Sequence, residues 1–140
     1  MNSLALLVKL GQMAANLQYL QDVAVLTAEI HGNLLSPEEK SFVKDLKGSL
    51  KRAAGIHARL ILFGSRARGD FTEESDIDLA IIVPGLTREL KNEILDKVAD
   101  IELKYLTPLS TLVISEEDFD TLKKRERRIA LDIEREGIPL

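Results

Sequence analysis

Two short aliphatic runs, joined by a polar connection, constrain the fold of this 140-residue chain more than any other feature. The first run, Arg59–Phe63 (RLILF), ends at Gly64, and the second, Ile77–Val83 (IDLAIIV), ends at Pro84-Gly85. Runs of this length and composition that end in glycine or proline are typical of buried β-strands. The chain is therefore expected to build a sheet, with a polar segment between its first two strands.

Helical spacing of apolar residues surrounds these strands. Ser36-Pro37 predicts a helix that ends at Gly55, because serine suits the N-cap and proline the first helical position. Thr87 predicts a second helix that runs to about Tyr105. Residues 109–114 form a third predicted strand, and Ser115 predicts the start of one last helix. The inward positions of that last helix are expected to be Phe119, Leu122, Ile129, Ala130 and Ile133.

Residues 1–55 are predicted to form a helical hairpin, appended to a domain at residues 56–140. Alternating spacings of three and four from Leu6 to Thr27 make one continuous apolar stripe. So broad a face must be buried, and in a short chain a second subunit is expected to cover it. The hairpin is therefore interpreted as an oligomerisation or partner-binding module.

Composition limits the class of protein. The hydrophobic fraction of 45% and charged fraction of 30% are typical of a globular domain. The absence of cysteine excludes disulfides and thiolate metal sites. The net charge of −4 disfavours a protein that binds long nucleic acid by electrostatics. Apolar runs fall short of the roughly 20 residues that a membrane span needs, so a soluble, cytoplasmic protein is expected.

The polar connection contains the residues that suggest chemistry. Gly64 allows the backbone to turn tightly and to approach a ligand. Ser65 adds a hydroxyl and a backbone N–H where a short helix is expected to start, and free N–H groups favour phosphate there. Arg66 adds a permanent positive charge beside the turn. These three residues are candidates for binding a triphosphate.

Asp76 and Asp78 are the candidate metal ligands and catalytic residues. Residues i and i+2 of a strand share one face, so the two carboxylates are expected to project together. Two adjacent carboxylates repel each other unless a cation lies between them, and oxygen ligands are what Mg²⁺ prefers. Taken alone, a Gly-Ser pair is usually a turn and Asp-x-Asp an exposed strand edge. Their conjunction within apolar strands favours a binding site.

The segment GSRARGDFTEESDIDLAIIV resembles the signature of the minimal nucleotidyltransferase branch of the DNA polymerase beta-like superfamily. The pattern of Gly-Ser, ten residues and Asp-x-Asp is met by Gly64, Ser65, Asp76 and Asp78. The resemblance implies an α+β fold, with a small mixed sheet of three or slightly more strands flanked by helices. It also implies transfer of a nucleoside monophosphate, AMP from ATP, with Mg²⁺ or Mn²⁺. Members of this branch often pair with a HEPN-domain protein as antitoxins.

One part of the pattern is absent. Active members take a third carboxylate from a later strand, which here is PLSTLVIS, with Ser110 or Thr111 at the expected place. Glu102 and Glu116 lie nearby in sequence, but in predicted helices.

Three functions therefore stay open. The chain is a metal-dependent nucleotidyltransferase acting on a protein or small acceptor, a nucleotide-binding module that acts by complexing a partner, or a purely structural dimeriser. The structural reading leaves Asp76 and Asp78 unexplained.

Overall fold

A computed structural model describes residues 35–55, 57–72 and 74–140. It contains four strands and five helices in these ranges. In chain order they are α1 (Pro37–Ala54), β1 (Arg59–Phe63), α2 (Gly64–Arg68), β2 (Ile77–Val83), α3 (Arg88–Tyr105), β3 (Leu109–Ser115), α4 (Glu116–Lys124), α5 (Arg128–Glu136) and β4 (Ile138–Pro139). The predicted α+β class is confirmed.

The four strands form one mixed sheet in the order β3-β2-β1-β4. β1 pairs antiparallel with both β2 and β4, whereas β2 pairs in parallel with β3. The end of β1 and the beginning of β2 and β3 therefore lie at the same edge of the sheet. Phe63 pairs with Asp78, and Asp78 pairs with Ser110 on its other side.

The two faces of β2 pack differently along its length. Ala80 and Ile82 belong to a core cluster with Phe119 of α4 and with Ala130 and Ile133 of α5. Alternation places the fully buried Leu79 and Ile81 on the opposite face. Asp78 shares its face with the α4–α5 cluster but lies near the beginning of the strand, and the residue is only partly buried.

Helix boundaries follow local capping signals. Thr87 Oγ1 accepts a hydrogen bond from the Leu90 N–H at 3.1 Å, and Ser115 Oγ accepts one from the Asp118 N–H at 3.0 Å. A serine or threonine at the N-cap satisfies an N–H group that the first helical turn leaves unpaired. The predicted starts of α3 and α4 are thus confirmed.

α1 belongs to the same compact unit, Pro37–Leu140, as the sheet. It packs against α3, where the Phe42 and Tyr105 ring centroids are 6.1 Å apart. The first arm of the predicted hairpin lies outside the described residues, so the boundary at residue 55 stays a prediction. None of the described helices is long and apolar enough to cross a lipid bilayer.

The prediction of one last helix is wrong. α4 ends at Lys124 and α5 begins at Arg128, and between them Glu126 adopts a left-handed backbone with φ of 52°. The break changes the helical phase, which leaves Ile129 43% exposed while Ala130 is buried. After α5, Ile138–Pro139 adds a short fourth strand at the edge of β1, which the sequence pattern did not predict.

Candidate functional site

Gly64 and the Asp78 carboxylate lie close together at the end of the sheet where β1 stops and β2 begins. Gly64 has a φ of +73°, and a Cβ built on it would lie 2.2 Å from Asp78 Oδ2. A Cβ there would force the Asp78 side chain to shift, and the left-handed backbone already favours glycine. Glycine at position 64 thus allows both the turn after β1 and the close packing of the Asp78 carboxylate against that turn.

Asp76 lies immediately before β2, in the extended segment that leads into it, and not within the strand. It is exposed, Ile77 after it is buried, and Asp78 is half-buried. In the described part of the chain, neither carboxylate has a hydrogen-bond or ion-pair partner. Both groups are therefore unused by the fold and open to a ligand.

A divalent metal fits this pair of donors. Carboxylate oxygens are hard ligands, and Mg²⁺ is commonly held by one or two carboxylates, with water and substrate phosphates completing its coordination. Because Gly64 has no Cβ, the Asp78 carboxylate also lies directly against the turn. Among residues 35–55, 57–72 and 74–140, however, no group of three or more acidic, histidine or cysteine residues could hold an ion. The protein's share of a metal site would be Asp76 and Asp78.

Ser65 lies in the first turn of α2, as the sequence predicted. Its carbonyl accepts hydrogen bonds from the N–H groups of Gly69 at 2.9 Å and Asp70 at 3.2 Å. These bonds close the short helix and fix the backbone after the Gly-Ser turn. Ser65 itself is half-buried and follows directly on the glycine that contacts Asp78.

Arg66 is engaged within the protein. The residue is 8% exposed, and its Nη1 donates to Glu39 Oε1 of α1 at 3.1 Å. Its guanidinium carbon lies 4.4 Å from the centroid of the Phe71 ring. Its Nε has no acceptor in the described part of the chain. The sequence placed Arg66 beside the triphosphate, and that role stays a prediction.

Arg68, two residues further along α2, lies at the surface. It donates to Asp70 Oδ2 and to Glu136 Oε2, each at 3.3 Å, and its side chain is 43% exposed. The bonds to Glu136 and then to Asp70 raise the pKa of the Arg68 guanidinium. Arg68 thus ties α2 to the end of α5.

Ser110 is the residue beside Asp78 on β3. Register partners in a parallel pair share a face, so Ser110 lies on the Asp78 side of the sheet. Thr111 pairs with Leu79 and lies on the opposite side. The structure thus selects Ser110 from the two positions at which a third carboxylate was expected.

The two nearby glutamates do not join the acid pair. Glu102 Oε2 accepts from the Leu109 N–H at 3.2 Å, at the start of β3. Glu116 begins α4, at the far end of β3. Neither forms a cluster with Asp76 and Asp78 that could hold an ion.

Sequence reasoning missed Glu39 and Phe71 as partners of the Gly-Ser segment. Glu39 was interpreted as a capping residue, and Phe71 was one residue of a polar connection. A phenylalanine in a connection otherwise rich in charged and hydroxyl residues is the signal that could have identified it, because an exposed ring there would be unfavourable.

The part of the chain that contains this site is similar in sequence to known proteins. Residues 43–135 match the nucleotidyltransferase domain family. Two Methanocaldococcus jannaschii proteins, each bearing the name "Putative protein adenylyltransferase", are similar to the chain. One is 41% identical over 81 residues, covering 58% of this chain and 74% of the relative. The other is 40% identical over 75 residues, covering 53% and 73% respectively.

A crystal structure of a "putative nucleotidyltransferase" from Sulfolobus solfataricus aligns with 75% of this chain and 86% of its own, at 19% identity and a TM-score of 0.39. The family match covers α2 and all three principal strands, together with Gly64, Ser65, Asp76 and Asp78. The chain therefore belongs to the nucleotidyltransferase domain family.

Proposed function

We propose that this protein transfers AMP from ATP to a hydroxyl group of a protein acceptor, in a reaction that depends on Mg²⁺ or Mn²⁺. The observation that carries the proposal is the close packing of the Asp78 carboxylate against Gly64, where a Cβ would lie 2.2 Å from the carboxylate oxygen. This contact joins the candidate phosphate-binding turn to the candidate metal ligands. The names of the two archaeal relatives support adenylylation of a protein.

Each residue of the site has a task in this reaction. Gly64 and Ser65 bind the β- and γ-phosphates through the turn, and Asp76 and Asp78 hold the metal. When bound, the metal offsets the negative charge of the triphosphate. The acceptor oxygen then forms a bond to the α-phosphorus while the bond to the bridging oxygen breaks, and pyrophosphate leaves with the electron pair. The acceptor proton passes to solvent water, since Ser110, the residue beside Asp78 on β3, has no carboxylate to accept it.

A second candidate function rests on Ser110. At this position beside Asp78, a hydroxyl replaces the carboxylate that the family resemblance implies. A protein with this site would bind Mg²⁺ and ATP but transfer AMP slowly or not at all. It would then act as a nucleotide-binding module in complex with a partner, for which a HEPN-domain protein is our proposal.

Binding of ATP tests the site itself. Calorimetry with Mg²⁺ should show ATP binding to the protein, and Asp76→Asn combined with Asp78→Asn should weaken it at least about 100-fold, since losing even an outer-shell partner of a metal costs about 10–100-fold. A matched control is Asp96→Asn with Asp100→Asn, which removes the same charge from exposed positions of α3. Equal binding by the site variant and the control would refute the assignment.

Label transfer separates the two candidate functions. The protein is incubated with the product of its neighbouring gene and with ATP labelled at either the α- or the γ-phosphate. An adenylyltransferase transfers the α-label and not the γ-label, whereas a kinase does the reverse. Intact ATP binding without transfer of α-label, in either Mg²⁺ or Mn²⁺, would favour the binding module.

We also propose that residues 1–55 mediate self-association or partner binding. The apolar stripe from Leu6 to Thr27 supports this. Since α1 packs within the compact unit that contains the sheet, the informative deletion removes residues 1–34 alone. Light scattering should show a smaller assembly for the deleted protein, and an unchanged subunit number would contradict the proposal.

A further inference from the structure

Arg66 forms a largely buried ion pair that joins α2 to α1. The side chains of Arg66 and Glu39 are 10% and 14% exposed, and their nitrogen and oxygen atoms are 3.1 Å apart. Removing one member of a buried pair leaves the other charge without compensation, which is strongly unfavourable. The pair therefore holds the short helix after the Gly64-Ser65 turn against α1.

The same guanidinium also contacts the connection between α2 and β2. Its central carbon lies 4.4 Å from the Phe71 ring centroid, within the range of a cation–π interaction. The connection is closed further by the Thr72 N–H, which donates to Ser75 Oγ at 2.9 Å. Phe71 lies five residues before Asp76, so Arg66 links the turn to the segment that carries the first carboxylate.

The partners of Arg66 leave its charge compensated before any ligand arrives. A phosphate group would have to compete with a carboxylate at 3.1 Å for the same guanidinium. Glu39 also lies before residues 43–135, the part of the chain that matches the family. The carboxylate that holds Arg66 thus belongs to the first turn of α1, outside the matched region.

We propose that Arg66 is a positioning residue, which fixes the Gly64-Ser65 turn through Glu39 and Phe71 and does not itself bind phosphate. The inference rests on the proposed function in one respect, that this turn binds the triphosphate. It predicts that Glu39, although it is acidic, supports the binding of an anionic nucleotide.

Substitution of Glu39 separates positioning from direct contact. Glu39→Gln, Arg66→Gln and the double variant should each weaken Mg²⁺-ATP binding about tenfold, with the double variant no worse than either single one, because members of one network are non-additive. In the label-transfer assay the KM for ATP should rise while kcat changes little. Glu38→Gln, an exposed neighbour, is the matched control and should bind ATP as the unmodified protein does.

The opposite pattern overturns the proposal. If Arg66 binds phosphate itself, Glu39→Gln frees the Arg66 guanidinium from its carboxylate partner. ATP binding should then be unchanged or tighter in Glu39→Gln and weaker in Arg66→Gln. Phe71→Leu gives a third variant that keeps the ion pair. It should weaken binding in the same direction as Glu39→Gln but by less, and an effect confined to Arg66→Gln would also refute the positioning role.

Hydrogen exchange without nucleotide tests positioning independently of the proposed function. Glu39→Gln should accelerate exchange of the amides of Gly64–Phe71 and leave those of β3 unchanged. Unaltered exchange in Gly64–Phe71, or an equal increase in β3, would overturn the proposal. If the unmodified protein bound no ATP, the proposed function would fail, yet the exchange result would still decide whether Arg66 fixes the turn.

Discussion

Asp78 has two different neighbours in the sheet. On the β1 side it meets the Phe63–Gly64 junction, where a Cβ on residue 64 would displace the Asp78 carboxylate and the backbone is left-handed. On the β3 side it meets Ser110, an exposed hydroxyl with no comparable constraint. On the proposed function, the first side would serve nucleotide and metal binding, whereas the second lacks the acidic group that turnover would use. We therefore expect that substitutions on the two sides affect binding and catalysis separately.

Substitution of Gly64 should produce the largest effect. Gly64→Ala places a methyl group 2.2 Å from Asp78 Oδ2 and forces alanine into the left-handed region at φ of +73°. The backbone cost alone is about 1–2 kcal/mol, and the clash adds to it. We expect a large loss of unfolding free energy in urea and loss of Mg²⁺-dependent ATP binding.

Gly85→Ala is the matched control for Gly64→Ala. Gly85 also has a positive φ, +65°, but a Cβ there would have no atom within 4 Å. It should cost only about 1–2 kcal/mol of backbone strain and leave ATP binding intact. If both variants bound ATP equally well, the contact between Gly64 and Asp78 would have no role in the site.

Substitution on the β3 side should have the next largest effect, and of opposite sign. Ser110→Asp places a carboxylate beside Asp78 and should raise the rate of α-label transfer by about 100-fold, the lower range for a positioned general base. Ser110→Asn has the same shape without the charge and should give no increase. Equal rates for the Asp and Asn variants would show that the missing acid does not limit turnover.

The arginine that lies at the surface should matter less than the buried one. Arg68→Gln removes hydrogen bonds to Asp70 and Glu136, but the side chain is 43% exposed, and exposed ion pairs contribute little to stability. We expect a small change in urea unfolding and nearly unchanged ATP binding. A loss as large as that of Arg66→Gln would show that the surface pair also fixes the turn.

The smallest effect is expected at the contact of α1 with α3, which lies apart from the acid pair. The Tyr105 hydroxyl donates to Asp45 Oδ2, and Lys104 Nζ donates to the same oxygen at 3.0 Å. The Tyr105 hydrogen bond, followed by that of Lys104, lowers the pKa of Asp45 below its usual 3.8. The bond to Asp45 likewise raises the pKa of Tyr105 above 10.0.

These two pKa shifts determine in which direction the stability of the fold changes with pH. The lowered pKa of Asp45 adds stability above pH 3.8 that is lost as the pH falls through the folded-state value. The raised pKa of Tyr105 adds stability below pH 10.0 that is lost as the pH rises through its folded-state value. Tyr105→Phe should flatten both limbs of a stability–pH profile and leave ATP binding at neutral pH unchanged. A profile identical to that of the unmodified protein would contradict this.

Local signals account for what the sequence predicted well. The bounds of β1 and β2 agree with the predicted runs, because glycine and proline end them, and Thr87 and Ser115 cap helices as their chemistry predicts. The break at Glu126 has no such signal, since neither glycine nor proline occurs there and charged residues are compatible with a continuous helix. Helical spacing likewise predicts Leu95 and Leu103 on the inward face of α3, whereas the structure leaves them 40% and 75% exposed.

The site was predictable as far as it depends on spacing along the chain. Gly64, Ser65, Asp76 and Asp78 could be identified as a set, but the choice between Ser110 and Thr111 depends on the register of β3 against β2. Register between parallel strands is set by packing of both faces and not by a local turn. The Arg66–Glu39 pair spans 27 residues, and only the packing of α1 brings the two side chains together.

The pairing of β4 with β1 has a consequence for synthesis of the chain. In the part of the chain that the structure describes, Ile61 and Leu62 gain their outer partners from Ile138 and Pro139. While residues 64–137 are being made, β1 has an unpaired edge, and such edges can recruit other extended segments. During synthesis, β1 is therefore open to misassociation until Ile138 and Pro139 have been added. A truncation that removed only Gly137–Leu140 would prolong that exposure indefinitely.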